Sequence, residues 1–243
     1  KIICLTAYSK NISEVIDNHT DIILVGDSLG SVLYNFNTTR KVTFEMMLKH
    51  TKSVRMGVRK SLLVIDLPYN TYRNKTEALL NSKKAIQETK CDAVKIEGGS
   101  RVKDIVQHLV NNKIPVLGHI GITPQTTKGK FKSKGKTELE RKKLIKDAKS
   151  LEKSGAFGIV LECIQSDISK KITNLVNIPT IGIGASVHCD GQVLVTDDIL
   201  GLTDSKIKFV KKYTNIRKII NNAVLKFKKE VKSKKYPTKK YSY

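Results

Sequence analysis

The chain has 243 residues and carries 45 Lys and Arg against 22 Asp and Glu, a formal charge of +23. Such a balance first suggests nucleic acid, but 38 of the basic residues are Lys and only 7 are Arg, whereas base and phosphate recognition leans on Arg forks. Residues 206–243 contribute +13 and residues 128–153 contribute +7, leaving +3 for the other 179, so a chain that is basic all over is excluded.

With 40% hydrophobic residues and a mean hydropathy of -0.26, the chain has the composition of a soluble globular protein long enough to bury one large core. No apolar run approaches the roughly 18 residues of a membrane span. No signal-peptide pattern opens the sequence, so a cytoplasmic location is expected. Cys4, Cys91, Cys163 and Cys189 are scattered without a C-x-x-C pair, which predicts reduced thiols rather than a disulfide framework or zinc ribbon.

Eight short apolar runs are too continuous for half-exposed strands and read as strands buried on both faces. In chain order they are IICLTAY (2–8), DIILVGD (21–27), SLLVIDL (61–67), DAVKIEG (92–98), IPVLGHI (114–120), AFGIVLE (156–162), IPTIGIGA (178–185) and QVLV (192–195). Amphipathic stretches lie between them, among them TFEMMLKHTKSVRMGVRK, TEALLNSKKAIQET, VKDIVQHLVNN and ELERKKLIKDAKSLEKSG. Alternation of this kind implies a parallel sheet, and eight repeats in this length match a (β/α)8 barrel, with a doubly wound open sheet as the alternative. Residues 186–191 are too few for a seventh helix, so QVLVTDDIL has a competing helical reading. The expected organisation is one barrel domain over 1–230 and a frayed basic tail over 231–243.

Polar residues recur where the buried runs end: Asp27 and Ser28, Asp66, Lys95 and Glu97, His119, and Glu162. For any one of them, helix capping or an ordinary ion pair is the better reading. For carboxylates at successive strand ends, a shared pocket is better, since a barrel brings those ends together. Several buried carboxylates repel one another without a cation, and oxygen ligands with open water positions suit Mg²⁺ better than zinc. The Lys-rich loop GKFKSKGKT (129–137) is not a P-loop, because five residues separate its glycines and no strand leads into it.

Taken together, KIICLTAY, DIILVGDSLG, VTFEMMLKHTKSVRMG, LLVIDLPYNTY, AVKIEGG, IPVLGHIGITPQ, GAFGIVLE, IPTIGIGAS and CDGQVLVTDDILG span nearly the whole chain. In that order they resemble the ketopantoate hydroxymethyltransferase family. The resemblance implies a (β/α)8 TIM barrel of the phosphoenolpyruvate/pyruvate type, Mg²⁺, and transfer of a one-carbon unit from 5,10-methylenetetrahydrofolate to 3-methyl-2-oxobutanoate. It implies that Asp27 and Asp66 bind the metal, with Glu97 as a third acid near it. Asp27, Ser28, Asp66 and Lys95 would hold the oxoacid, His119 would lie in the pocket, and Glu162 would be the catalytic base. It further implies a homo-oligomer, a decamer in the family.

This sequence departs from the family pattern at Ser9, where Asp is usual after TAY, at Ser186 in GIGAS, and at Lys134 in the basic loop. The family's usual leading helix does not precede KIICLTAY, from which a trimmed or disordered start is expected. Two other readings compete: a carbon-carbon lyase or mutase acting on a related 2-oxoacid with a shared fold and metal site, and nucleic-acid binding through residues 206–243. The second is disfavoured, because that segment holds only Arg217 and scattered tyrosines. Lys130, Lys132 and Lys134 are expected to attract the anionic oxoacid or a polyglutamylated folate.

Overall fold

The computed structural model describes residues 1–127 and 132–243. It divides into two compact units, Lys1–Val195 and Thr196–Tyr243. The first is a closed barrel of eight parallel strands in sequential order: β1 (Ile2–Thr6), β2 (Ile22–Val25), β3 (Leu62–Asp66), β4 (Ala93–Glu97), β5 (Val116–Gly121), β6 (Gly158–Glu162), β7 (Thr180–Ile183) and β8 (Gly191–Leu194). Its helices are α1 (Lys10–Ile16), α2 (Leu29–Tyr34), α3 (Phe44–Arg55), α4 (Lys75–Thr89), α5 (Lys103–Asn111), α6 (Glu138–Lys153) and α7 (Ser166–Leu175). All eight expected strands are present, and the open-sheet alternative is excluded because β1 pairs with β8.

Side chains two apart on a strand share a face, and this sorts the barrel residues into two cores. Cys4, Leu24, Val64, Ala93, Leu117, Val160, Ile181 and Val193 belong to one buried cluster, the filling of the barrel. Their strand neighbours, such as Ile23, Ile65, Val94, Val116 and Ile159, belong to a second cluster that includes Met47 and Leu48 of α3, Ala78 and Ala85 of α4, Val106 and Leu109 of α5, and Ile168 and Ile172 of α7. Strands with an apolar partner on each side must be apolar at every position, hence the continuous runs in the sequence.

The helices start where side chains can accept their free N–H groups. Thr43 accepts from Met46, Asn74 from Glu77 and Thr137 from Glu140. No helix separates β7 from β8, as the short connection implied. QVLVTDDIL divides between its two readings, with β8 followed at once by α8 (Thr196–Ile199).

The second unit comprises α8, α9 (Ile216–Lys232) and a 3-10 turn at Lys239–Tyr241. Residues 196–230 thus group with the tail in this division rather than with the barrel, and the helix continues two residues into the segment expected to fray. All four cysteines are free, three of them buried.

Candidate active site

The expected site residues occupy the next inward position above the apolar filling. Asp66 follows Val64 by two residues on β3, Lys95 follows Ala93 on β4, His119 follows Leu117 on β5 and Glu162 follows Val160 on β6. Glu97 lies one layer further on β4, and Asp27 in the turn after β2. Each apolar layer therefore closes the barrel below and leaves polar side chains at the carboxyl ends of the strands.

The site has two halves. In the first, the Lys95 ammonium lies 2.8 Å from Asp66 Oδ1, with both side chains almost wholly buried. Asp66 Oδ2 accepts a hydrogen bond from the backbone N–H of Asp27 at 3.0 Å. Burial opposes the charge on Lys95, but Asp66, Glu97 and Asp27 outweigh it and hold the ammonium above its ordinary range. Burial, reinforced by Asp66 and Glu97, pushes Asp27 up to about 8.

In the second half, His119 sits between two carboxylates, its Nδ1 3.5 Å from Glu97 Oε1 and its Nε2 3.2 Å from Glu162 Oε2. Burial and Lys95 oppose charge on the imidazole. Glu162 and Glu97 outweigh them, raising it to about 9. Glu162 is the most accessible of this set, its side chain 20% exposed, so it faces whatever enters the pocket. Its strand end packs against Gly121, whose φ of 103° suits glycine and where a Cβ would lie 2.1 Å from the Glu162 carbonyl oxygen.

Gln125 joins the halves, and sequence reasoning passed over it. Its Nε2 donates to Asp27 Oδ2 at 2.9 Å and to the Leu67 carbonyl at 3.0 Å. Its Oε1 accepts from the Tyr72 hydroxyl at 2.5 Å, and its backbone N–H donates to Glu97 Oε2 at 3.0 Å. Arg40 in turn donates from Nε to the Gln125 carbonyl at 2.8 Å. Gln125 belongs to the GHIGITPQ run, but only its burial, at 1% exposure, marks it out from other loop amides.

Ser28 is not drawn into this network. Its hydroxyl is hydrogen bonded to the Tyr8 hydroxyl at 2.8 Å, beside Asp27 in the chain. Lys132 is exposed and Lys134 half-buried, with the Lys134 N–H donating to the Cys163 carbonyl at 2.8 Å. Lys130, expected to act with them, lies outside the described residues. Ser186 is buried and its hydroxyl accepts from Ser166 Oγ at 3.1 Å.

A divalent cation suits this donor set. Asp66 Oδ1 is buried without a hydrogen bond, its Lys95 ion pair apart, and three buried carboxylates surround one ammonium. Among the described residues no three His, Cys, Asp or Glu side chains are grouped so as to hold an ion by themselves. A hard ion such as Mg²⁺ takes one or two protein carboxylates and completes its shell with substrate oxygens and water.

A closed (β/α)8 barrel with buried acids, an ammonium and an imidazole at its carboxyl-terminal mouth has the layout of a TIM-barrel enzyme, in which the active site lies at that end of the strands. Solved structures support the fold. Phosphonopyruvate hydrolase in complex with oxalate and Mg²⁺ superimposes with a TM-score of 0.60 at 11% identity, covering 99% of this chain and 88% of that one. Phosphoenolpyruvate phosphomutase from Streptomyces platensis subsp. rosaceus gives a TM-score of 0.60 at 11% identity over 96% and 83%. The family model for ketopantoate hydroxymethyltransferase matches residues 1–239. The 3-methyl-2-oxobutanoate hydroxymethyltransferase of Pelagibacter ubique (strain HTCC1062) is 62% identical over 243 residues, all of this chain and 94% of the relative. The chain belongs to the ketopantoate hydroxymethyltransferase family.

Proposed function

We propose that the chain transfers a hydroxymethyl group from 5,10-methylenetetrahydrofolate to 3-methyl-2-oxobutanoate, giving 2-dehydropantoate for pantothenate synthesis. The observation that carries this reading is the inward-facing set of Asp66, Lys95, His119 and Glu162 on four consecutive strands, in a chain whose family carries out that transfer. The lyase or mutase reading rests on the fold alone and is not favoured by the family match.

Asp27 and Asp66 would be the carboxylates that hold Mg²⁺, with Glu97 as the third acid nearby. When bound, the ion supplies a Lewis-acid charge for the keto and carboxylate oxygens of the oxoacid. Lys95 adds fixed positive charge where negative charge develops. Ser28 and Lys95 help to hold the oxoacid.

Glu162 takes the proton from C3 of the oxoacid. His119, ion-paired in its charged form between Glu97 and Glu162, orients that carboxylate. The C3 electron pair then forms the bond to the methylene carbon of the donor, both C–N bonds to that carbon break, water supplies the hydroxyl group, and the two departing tetrahydrofolate nitrogens take the proton held by Glu162 and the second proton of the water. No helix among the described residues is long and apolar enough to cross a membrane. A cytoplasmic enzyme and a homo-oligomer, a decamer by the family pattern, complete the reading.

The test is turnover of 3-methyl-2-oxobutanoate by the purified chain with the folate donor, with and without Mg²⁺, with product identified by mass spectrometry. Formation of 2-dehydropantoate that requires both donor and metal is expected. Cleavage of the oxoacid without donor consumption would overturn the assignment in favour of the lyase.

A further inference from the structure

A second cavity, of about 670 Å³, opens where the ends of β4 and β5 meet α6, a size that accepts an extended small molecule. Its walls include Gly98, Gly99 and Ser100 after β4, Gly121 and Thr123 at the end of β5, and Leu144 of α6. Arg101, Lys103, Lys134 and Lys146 also line it, and among the described residues none of these four makes an ion pair.

The two carboxylates in the wall are already engaged. Asp147 Oδ1 accepts from the Ser100 N–H at 2.9 Å and its hydroxyl at 2.7 Å, while Asp147 Oδ2 pairs with Lys143. Glu140 Oε2 accepts from the N–H groups of Gly135 and Lys136 at 3.0 and 2.9 Å. The cleft therefore presents uncompensated positive charge, the opposite of the acid-lined barrel mouth.

The two sites share a wall. Gly121, which lines the cleft, lies in register opposite Glu162, and Thr126, another lining residue, follows Gln125 directly. Arg40 fixes that loop from the other side through the carbonyls of Gln125 and Thr126, at 2.8 and 3.4 Å. A ligand reacting beside Glu162 has this cleft as the adjoining surface that attracts anions.

We propose that the cleft holds the carboxylate-rich glutamyl tail of the one-carbon donor, an inference that rests on the hydroxymethyl transfer proposed above. A polycarboxylate tail is repelled by Asp27, Asp66 and Glu97 and stabilised by Arg101, Lys103 and Lys146, so charge alone orients the donor with its tail away from the metal-binding acids. The tail carboxylates remain partly hydrated, and each exposed pair contributes modestly.

The experiment compares monoglutamyl and triglutamyl 5,10-methylenetetrahydrofolate in the full chain and in an R101Q/K103Q/K146Q variant. In the parent, KM for the triglutamyl donor is expected about tenfold below that for the monoglutamyl donor, the sum of two or three weak ion pairs, with the gap narrowing as salt rises. In the variant that gap should close, with kcat on the monoglutamyl donor unchanged. Equal KM values for the two donors in the parent, or a variant that keeps the full preference, would overturn the cleft assignment. No product from either donor would overturn the transfer itself, and this inference with it.

Discussion

The side-chain amide of Gln125 donates to Asp27 Oδ2 at 2.9 Å, joining residues 98 apart in sequence. Because the same Nε2 also donates to the Leu67 carbonyl and Oε1 accepts from Tyr72, the amide has one orientation, and one oxygen of Asp27 is committed to it. Q125A removes this support while leaving the acids in place. It is expected to weaken Mn²⁺ binding, used as a spectroscopic substitute for Mg²⁺, by about 10- to 100-fold. Unchanged Mn²⁺ affinity by electron paramagnetic resonance would show that Gln125 does not orient a ligand.

Glu162 is the one carboxylate of the site with substantial access to the pocket. If it removes the C3 proton, E162Q loses deuterium exchange at C3 of 3-methyl-2-oxobutanoate in D₂O, a reaction that needs no folate. Turnover should fall about 10²- to 10⁴-fold, with Mn²⁺ affinity retained. Exchange at the parental rate in E162Q would assign the base to another group.

The Asp66 and Lys95 charges are both buried and 2.8 Å apart. D66N removes the direct ion-pair partner of the ammonium, and a loss of about 3–5 kcal/mol is expected in urea unfolding. The double variant D66N/K95M should recover most of that stability and remain inactive. Recovery of activity together with stability would mean that the pair serves packing alone.

Acid sensitivity should come in part from a residue remote from the site. Buried Asp17 accepts backbone hydrogen bonds from Arg59, Lys60 and Ser61 at 2.9, 3.0 and 2.9 Å. Burial disfavours its charge, but these donors outweigh it and hold the carboxyl below its usual range. A depressed folded-state value means that the stabilisation is complete above the unfolded-state pKa of about 3.9 and is lost as pH falls through the folded value. D17N should therefore cost about 1–3 kcal/mol at pH 7, and the difference from the parent should shrink in strong acid. A pH-independent difference between the two unfolding curves would remove Asp17 as the titrating group.

The barrel was readable in the sequence because strands packed on both faces have no polar position until they emerge from the core. The first emergent residue on β3, β5 and β6, namely Asp66, His119 and Glu162, was visible as a polar letter closing an apolar word. Gln125 had no such signal. It lies in a loop without periodicity, and its partners Glu97, Leu67 and Asp27 are brought to it only by closure of the barrel. The connection between β7 and β8 was readable as too short for a helix, whereas the division of QVLVTDDIL into β8 and α8 depends on β8 completing the barrel by pairing with β1. The charge of the cleft was partly visible as the Lys-rich segment 128–153, but Arg101 and Lys103 come from a distant stretch that the fold places beside it.

The Asp66 and Lys95 positions are direct partners in the β3–β4 register, as Gly121 and Glu162 are between β5 and β6. Sliding β3 by one residue against β4 would carry the Asp66 carboxylate to the helix side and part it from the Lys95 ammonium, at a cost of several kcal/mol for a buried ion separated from its partner. The buried Asp66–Lys95 pair thus acts as a checksum on assembly. Apolar strands of similar composition tolerate many alignments, but only one alignment sets Asp66 beside Lys95, so a chain that has closed with this buried pair intact has also closed in the correct register.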